Sequence, residues 1–497
     1  MNNKIKFLVA LPLTAMLLTS CGGSSKKIPT FPKSGGMRFT AYSGPTVARW
    51  SGSSDNPDTL TPENLIKMSE AGFDKILALY EGATTAGGDT YTLIQKRSEK
   101  AMKDANHAMD AIESDEFKAK APRPIKYYVR DWSFYGLVKN YVNGFSPNIT
   151  EKSQYEEIIT KMFDDSNTYM VRESYGGNFC HDEPTYGELA KIADQVEIYN
   201  RVMKEKGLKG EPMVNLFPGH VGASALEGHS YEEYVDEYFR LIAPQVGYVS
   251  YDFYPLLSNF YDGSYVRNTY LYNLNLMAKK CKATRDTEHP VELRTFMQSI
   301  GNWTGMRDMT GIGDFRFQVY CNMAFGSHEI TYYEYANSHS PEEGGFALFN
   351  LQTNEYNWTF DLAAKVNNEV HNFEDAYLSF NWDGVMYKNA DEMYENQAFD
   401  LLAEEAIQKH PRVSIKACEQ DVLMGTFKND KGDDAFMVVN YTDPYKNLNN
   451  EVKLHFKKAN KLLMYRLGEP MIVDLPISGN YTLKLYPGEG RFIIPIK

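Results

Sequence analysis

Carboxyl groups that do acid/base chemistry are best sought where a strand ends and a helix begins, and His181-Asp182-Glu183-Pro184 sits at such a junction. The run Gly176-Gly177-Asn178-Phe179-Cys180 before it reads as a buried strand, and Thr185 to Asp194 after it reads as a helix. An Asp-Glu-Pro at the carboxyl end of a parallel strand lies where α/β folds display catalytic side chains. A residue before proline is pushed away from the α region, so Glu183 is expected extended, ending the strand, as the first candidate for a general acid. Carboxylates also gather at helix starts because the helix dipole favours them, so the tetrapeptide needs support from the rest of the chain.

The elements that would position Glu183 come from a count. Short apolar runs alternate with amphipathic helical stretches: Met37–Tyr42, Lys75–Tyr80, Ile125–Val129, Gly177–His181, Pro212–Phe217, Tyr248–Asp252, Val291–Met297 and Glu329–Tyr333. Between them lie helical patterns such as Thr61–Glu70, with Pro62 at the first helical position, and Tyr231–Ile242. Eight strands with intervening helices over residues 37–395 predict an α/β fold, a (β/α)8 TIM barrel. A doubly wound open sheet is the rival, but no Gly-x-Gly-x-x-Gly follows the first strand, and no cofactor is expected. After Pro411 the texture changes to short alternating runs with turn signals such as Asn429-Asp430-Lys431-Gly432 and Pro487-Gly488-Glu489-Gly490. Residues 411–497 are therefore expected to form a C-terminal antiparallel β-sandwich, without a carboxylate cluster of its own.

Composition narrows the partners. The 497 residues are 43% hydrophobic and 24% charged, with a net charge of −13. That argues against nucleic acid and against an electrostatic grip on anionic lipid, both of which need basic patches, and suits a neutral polymer such as a carbohydrate. Cys180, Cys281, Cys321 and Cys418 are widely spaced, with no C-x-x-C pair, so neither a disulfide framework nor a zinc ribbon is indicated. At the amino terminus Lys4 and Lys6 precede an apolar Phe7–Leu18 too short to span a bilayer, followed by Leu18-Thr19-Ser20-Cys21. This resembles a bacterial lipoprotein signal over residues 1–21. The resemblance implies cleavage before a lipidated Cys21, a membrane anchor through its acyl chains, a flexible tether over residues 22–36 and a place in the bacterial cell envelope.

With these parts in view the chain resembles the clan-A-like (β/α)8 glycoside hydrolases, over the barrel and the β domain that follows it. The general acid/base glutamate of that clan, which precedes proline at the end of strand four, maps onto Glu183, with Asp182 where asparagine is usual. Asp314–Gly326 leading into Ile330–Tyr335 looks like the clan's last helix and eighth strand, and Tyr251-Asp252-Phe253-Tyr254-Pro255 looks like the end of its sixth. One departure stands out: the clan's nucleophile is a glutamate ending strand seven, and here that strand ends Met297-Gln298-Ser299. Glu292 shares the parity of Gln298, but six residues put it about 20 Å away, at the other end of the barrel.

Hydrolysis of a glycosidic bond generally needs two carboxyl groups, one protonated to release the leaving oxygen and one ionised. Asp252 at the end of strand six is the first choice for the partner of Glu183, and Glu334 at the end of strand eight the second. Asp182, Glu81 and Asp131 are the remaining acids near strand ends. Strand alternation puts Asp182 and Glu183 on opposite sides if the strand is regular there. Aromatic rings suit the faces of sugars, so Trp132, Trp303, Tyr254 and Tyr335 are expected to bind substrate along with His181, Asp182 and Gln298. Trp50, Tyr42 and Tyr80 fall nearby. His181, His220 and His339 could meet Asp182, but they lack ligand spacing, and no metal is expected. The expectation is an enzyme cleaving an extracytoplasmic oligo- or polysaccharide. The rival is a lipoprotein that binds glycans on the same barrel without cleaving them.

Overall fold

The computed structural model describes residues 28–46, 58–78, 90–130, 151–165, 167–259, 263–301, 305–337, 347–390 and 396–497. Eight parallel strands run Arg38–Tyr42 (β1), Lys75–Leu77 (β2), Lys126–Val129 (β3), Tyr175–Asp182 (β4), Glu211–Asn215 (β5), Tyr248–Tyr251 (β6), Glu292–Gln298 (β7) and Ser327–Tyr333 (β8). They lie side by side in the order β5-β4-β3-β2-β1-β8-β7-β6. A parallel bridge between Leu216 and Tyr251 joins the two outer members, and the Leu216 N–H donates to Ser250 O at 2.9 Å. The result is a TIM barrel. Its strands read as nearly continuous apolar runs because both faces are buried: Tyr42, Leu77, Tyr128, Phe179, Met213 and Phe296 fill the interior layer below the mouth, while Phe39, Ile76, Tyr127 and Val214 pack outward against the helices. Local signals agree with the sequence reading. Helix Pro62–Glu70 starts with the Thr61 side chain accepting from Asn64 N, and Tyr231–Leu241 starts with a capping box between Ser230 and Glu233.

The amino-terminal ends of the strands meet in a layer of charges that closes the barrel floor. Arg294 donates to Glu211 through Nη2 at 2.6 Å and Nη1 at 2.9 Å, and to Glu292 through Nε at 2.8 Å. Its guanidinium lies 3.7 Å from the centroid of the Tyr248 ring. Lys75 reaches Glu329 at 2.7 Å, and Arg38 binds Glu329 at 3.0 Å and also Glu292. Burial alone would raise the Glu329 carboxyl, but Lys75, Arg294 and Arg38 hold it down at about 2. Glu292 is held far below the usual carboxylate range, against burial, by His328, Arg294 and Arg38. This places Glu292 in the floor, away from the mouth.

The C-terminal domain is a β-sandwich. A six-stranded antiparallel sheet holds Asn381–Lys388, Val422–Lys428, Asp434–Asn440, Gly490–Ile496, Lys461–Arg466 and Glu469–Asp474, and a three-stranded sheet holds Val413–Cys418, Asn450–Phe456 and Asn480–Leu485. Met424, Phe436, Val438, Leu454, Phe456 and Ile493 form the core between them. Two features depart from the sequence reading. Asn381–Lys388, expected within the barrel segment 37–395, pairs with Val422–Lys428, because the apolar face of this strand is completed by the sheet. The hairpin Lys461–Arg466/Glu469–Asp474 was not expected. Its two-residue turn needs positive φ at both positions, and Leu467 (φ 51°) with Gly468 (φ 85°) supplies it without the usual Asn-Gly cue. Helix Ile312–Ala324, between β7 and β8, lies on the six-stranded sheet where glycines let it approach. A Cβ on Gly425 would stand 2.1 Å from Ala324 O, and one on Gly490 would stand 2.4 Å from the Tyr320 ring.

Replacing Arg294 by Met keeps volume but leaves Glu211 and Glu292 without their shared guanidinium. Breaking such a pair costs about 3–5 kcal/mol, so urea unfolding should show a loss of that order. A loss under about 1 kcal/mol would mean the floor charges are not coupled to folding.

Candidate active site

β4 delivers the acidic tetrapeptide, but not in regular alternation. Its pairing with β5 runs Phe179 with Met213, then His181 with Val214 and Asp182 with Asn215, with a register shift between Phe179 and His181. The extra residue is a β-bulge, and it changes which side chain faces the barrel axis. Asp182 joins inward-facing Asn215, and His181, fully buried, aligns with outward-facing Val214. His181 is thus off the substrate face it was expected to occupy. Glu183 is not extended as Pro184 suggested. Its N–H still follows β5, donating to Asn215 O at 2.9 Å, and there the chain turns with φ 51° at Glu183. A non-glycine residue in the left-handed region persists only where its surroundings hold it, and such positions cluster at functional sites. With the bulge and this turn, the expected separation of Asp182 and Glu183 onto opposite faces does not occur. Both charges act on Asp252.

Asn215 holds the group together. The Ser250 hydroxyl donates to Asn215 Oδ1 at 2.9 Å, which fixes the amide orientation. Asn215 Nδ2 then donates to Asp182 Oδ1 and to Asp252 Oδ1, each at 3.2 Å. The Tyr42 hydroxyl donates to Asp182 Oδ2 at 3.0 Å. Asp252 is buried, and burial first, then the negative charges of Glu183 and Asp182, push its carboxyl well above the ordinary aspartate range, against the pull of the Asn215 amide. Glu183 itself is exposed at the mouth. Asp182, Glu183 and Asp252 are therefore one electrostatic unit, in which Asp252 holds its proton to unusually high pH. Burial and the Asp182 charge push the Tyr42 hydroxyl well above its ordinary range, opposed by Arg130, which lies at the end of β3 and 5.6 Å from the Phe179 ring centroid.

The other candidates fall into place around this unit. Tyr254 is half-buried, 5.0 Å from Tyr333 between ring centroids, and Tyr333 is 5.4 Å from Tyr42, so three tyrosines line one side of the mouth. Glu334 is buried at the end of β8, beyond a cis Tyr333–Glu334 peptide. Its backbone oxygen accepts from the Ser299 hydroxyl at 2.9 Å. Burial alone lifts its carboxyl to about 8, so it stands apart from the Asp252 unit. Tyr335 is a correction: it is fully buried behind the strand, with Phe73 at 5.1 Å, and Tyr333 takes the place at the mouth. Gln298 is another. Its Oε1 accepts from Leu256 N at 2.8 Å, and its Nε2 donates to Leu256 O at 3.1 Å and Arg307 O at 3.3 Å. The amide is spent tying the loop after β6 to the loop after β7, and a glutamate there would set an acceptor against two carbonyls. Trp132, Trp303, Trp50, Tyr80, Glu81, Asp131, His339 and Cys21 lie outside the described residues. His220 packs edge-on against Phe253, at 5.1 Å, on the outer side of β6. Among the described residues, no three His, Cys, Asp or Glu side chains gather as metal ligands. Asn215, Tyr333 and Arg130 went unnoticed in the sequence; inward parity in strands β5, β8 and β3 is the one signal that marks them.

No protein-family model matches the chain, and no curated protein matches it in sequence. Similar solved structures include a family GH27 β-L-arabinopyranosidase from Geobacillus stearothermophilus, with arabinose bound, at 9% identity and a TM-score of 0.47, covering 93% of this chain and 97% of that one. A GH51 arabinofuranosidase from Xanthomonas axonopodis pv. citri is similar at 8% identity and a TM-score of 0.44, covering 92% and 95%. A putative alpha-galactosidase from Bacteroides fragilis is similar at 10% identity and a TM-score of 0.44, covering 93% and 79%. With TM-scores under 0.5, these likenesses carry no argument about the chemistry of this chain.

Glu334 makes a pH prediction with a definite sign. Its folded-state value is raised from 4.5 to about 8, so the stability its proton confers is full below about 4.5 and is lost as pH rises through 8. Wild type should lose about 2–4 kcal/mol relative to Glu334→Gln between pH 5 and pH 8.5. Parallel melting-temperature curves for the two proteins over that range would show Glu334 ionised throughout.

Proposed function

We propose that the protein is a glycoside hydrolase acting on an oligo- or polysaccharide outside the cytoplasm, with Glu183 and Asp252 as its carboxyl pair. The observation that carries this reading is the unit at the barrel mouth: Asp252, kept protonated by burial and two negative neighbours, beside an exposed Glu183. Two interacting carboxyl groups in unlike surroundings are what acid and base roles need. In the productive form Asp252 holds the proton, the role first expected of Glu183, while Glu183 is the open carboxylate facing substrate. Asp182 and Asn215 are positioning residues. Tyr42, Tyr254 and Tyr333 offer apolar rings with hydroxyls at their edges, a surface matched to pyranose faces. Glu334, a neutral acid at physiological pH, serves as a hydrogen-bond donor at the rim of β8. The lipoprotein-like segment ending at Cys21 would place the enzyme in the bacterial cell envelope, anchored through acyl chains. Fractionation of wild type beside Cys21→Ala tests this, the variant appearing in the soluble fraction.

A second reading, a glycan-binding barrel without turnover, is favoured by one observation: β7 ends in a buried, backbone-bonded Gln298 where the related enzymes carry their nucleophile.

Hydrolysis of a panel of plant, host and microbial glycans separates the two. Glu183→Gln should lower kcat by about 10²–10⁴ while ligand affinity stays within a few-fold. Release of no sugar from any glycan, with binding kept by both proteins, would select the binding reading.

The pair also fixes a pH profile. Activity should fall as pH rises through the raised Asp252 value. Asp182→Asn removes one of the charges that raise it, so the alkaline limb of kcat/KM should move to lower pH. A limb that stays in place would remove Asp252 from the acid role.

A further inference from the structure

On the outer side of the mouth, the loop after β5 faces the turn that opens helix Tyr270–Thr284, and the polar groups gathered there lack an acceptor. Arg267 is half-buried, and its backbone N–H donates to Pro255 O at 2.8 Å, just past Asp252 in the chain. Its side chain makes no ion pair among the described residues, and its Nε is buried without a hydrogen-bond partner. The hydroxyl of Thr269, at the N-cap of that 15-residue helix, makes no capping bond and has no partner. Asn273, fully buried on the next turn, spends its Oδ1 on Gly219 N at 2.7 Å and leaves Nδ2 unbonded. Next to Gly219 stands exposed His220, its ring braced edge-on by Phe253. Partial desolvation of the ring packed on Phe253, and the neighbouring Arg267 charge, push His220 down to about 4, and burial lowers Arg267. The described surroundings supply no carboxylate to either group, in a chain of net charge −13.

Buried donors and a half-buried cation without a counter-ion are costly unless something accepts from them. The helix amino terminus at the same spot favours negative charge. A guanidinium offers paired donors in the geometry that carboxylates and sulfates match, and a neutral imidazole can add one more.

We propose that Arg267, with Thr269, Asn273 and His220 around it, binds the acidic substituent of a glycan, a uronic-acid carboxylate or a sulfate ester. This rests on the glycosidase reading for the word glycan, not for the anion. The site lies at the mouth end of the barrel, where His220 packs on Phe253, the residue after Asp252, so it would hold a sugar beyond the one being cleaved and select acidic polymers over neutral ones.

The test uses the full chain with selectively labelled histidine, following the His220 imidazole by NMR while sodium glucuronate, sodium sulfate or glucose is added. Either anion should give a saturable shift and move the His220 titration midpoint upward by about 1 pH unit or more, and glucose should not. The anion that binds more tightly names the substituent. Arg267→Gln, checked for an unchanged melting temperature, should weaken that binding at least tenfold. In hydrolysis, the same change should raise KM for acidic glycans and leave neutral ones unaffected. No saturable shift with either anion, or equal binding by Arg267→Gln, would overturn the proposal. If no glycan is hydrolysed at all, the NMR titration still decides the anion site. If hydrolysis is seen but Arg267→Gln affects acidic and neutral glycans alike, the anion site fails and the glycosidase reading stands.

Discussion

The arrangement of the barrel mouth depends on the amide of Asn215. With its oxygen committed to Ser250, both of its N–H groups are available, and they are given to Asp182 and Asp252. One side chain thereby holds two carboxyl groups from different strands in a fixed relation, across the seam where the barrel closes between β5 and β6. The backbone of the same residue accepts from Glu183. The three acids are therefore positioned by a single residue of β5, whose own place is set by the Leu216–Tyr251 bridge. Removing that amide would leave buried carboxyl oxygens without a donor.

The barrel also sorts its acids by height. At the floor Glu211, Glu292 and Glu329 each meet Arg38, Lys75 or Arg294, and their values fall. At the mouth, burial acts without enough cations to answer it, and Asp252 and Glu334 rise. The same residue type is thus ion-paired and ionised at one end and holds its proton at the other, because effective charge interactions strengthen as water is excluded. The C-terminal sandwich contributes from behind. Helix Ile312–Ala324 packs on its six-stranded sheet through Gly425 and Gly490, and Gln318 of that helix exchanges hydrogen bonds with the Gln298 backbone, accepting at 2.9 Å and donating at 3.0 Å. The end of β7 is held by the layer beneath it, which accounts for the structural use of Gln298.

Much of this was legible in the sequence. Apolar runs bounded by turn residues locate all eight barrel strands to within a few residues, since a strand buried on both faces must be apolar throughout. Thr61-Pro62 and Ser230 mark helix starts because side-chain caps are local interactions. Glu183 and Asp252 were placed at strand ends by counting alone.

What the sequence by itself determined was the inventory: eight strands, an antiparallel domain after them, and acids at the ends of β4, β6 and β8. What only the tertiary structure decided was which way those acids face and what proton affinity they have. Alternation put Asp182 and Glu183 on opposite sides, which held only for a regular strand; the bulge after Phe179 broke that regularity, because a bulge is set by pairing with β5 and leaves no local mark. Proline predicted an extended Glu183, and the chain instead turns there at positive φ while its N–H still pairs with Asn215 O. Tyr335 followed the outer core with Phe73 once β8 had ended, leaving Tyr333 at the mouth. The rise of Asp252 comes first from its burial and then from Glu183 and Asp182, charges far away in the chain brought within electrostatic reach. Such proximity is a property of the closed barrel, since charge interactions depend on distance through space and on burial.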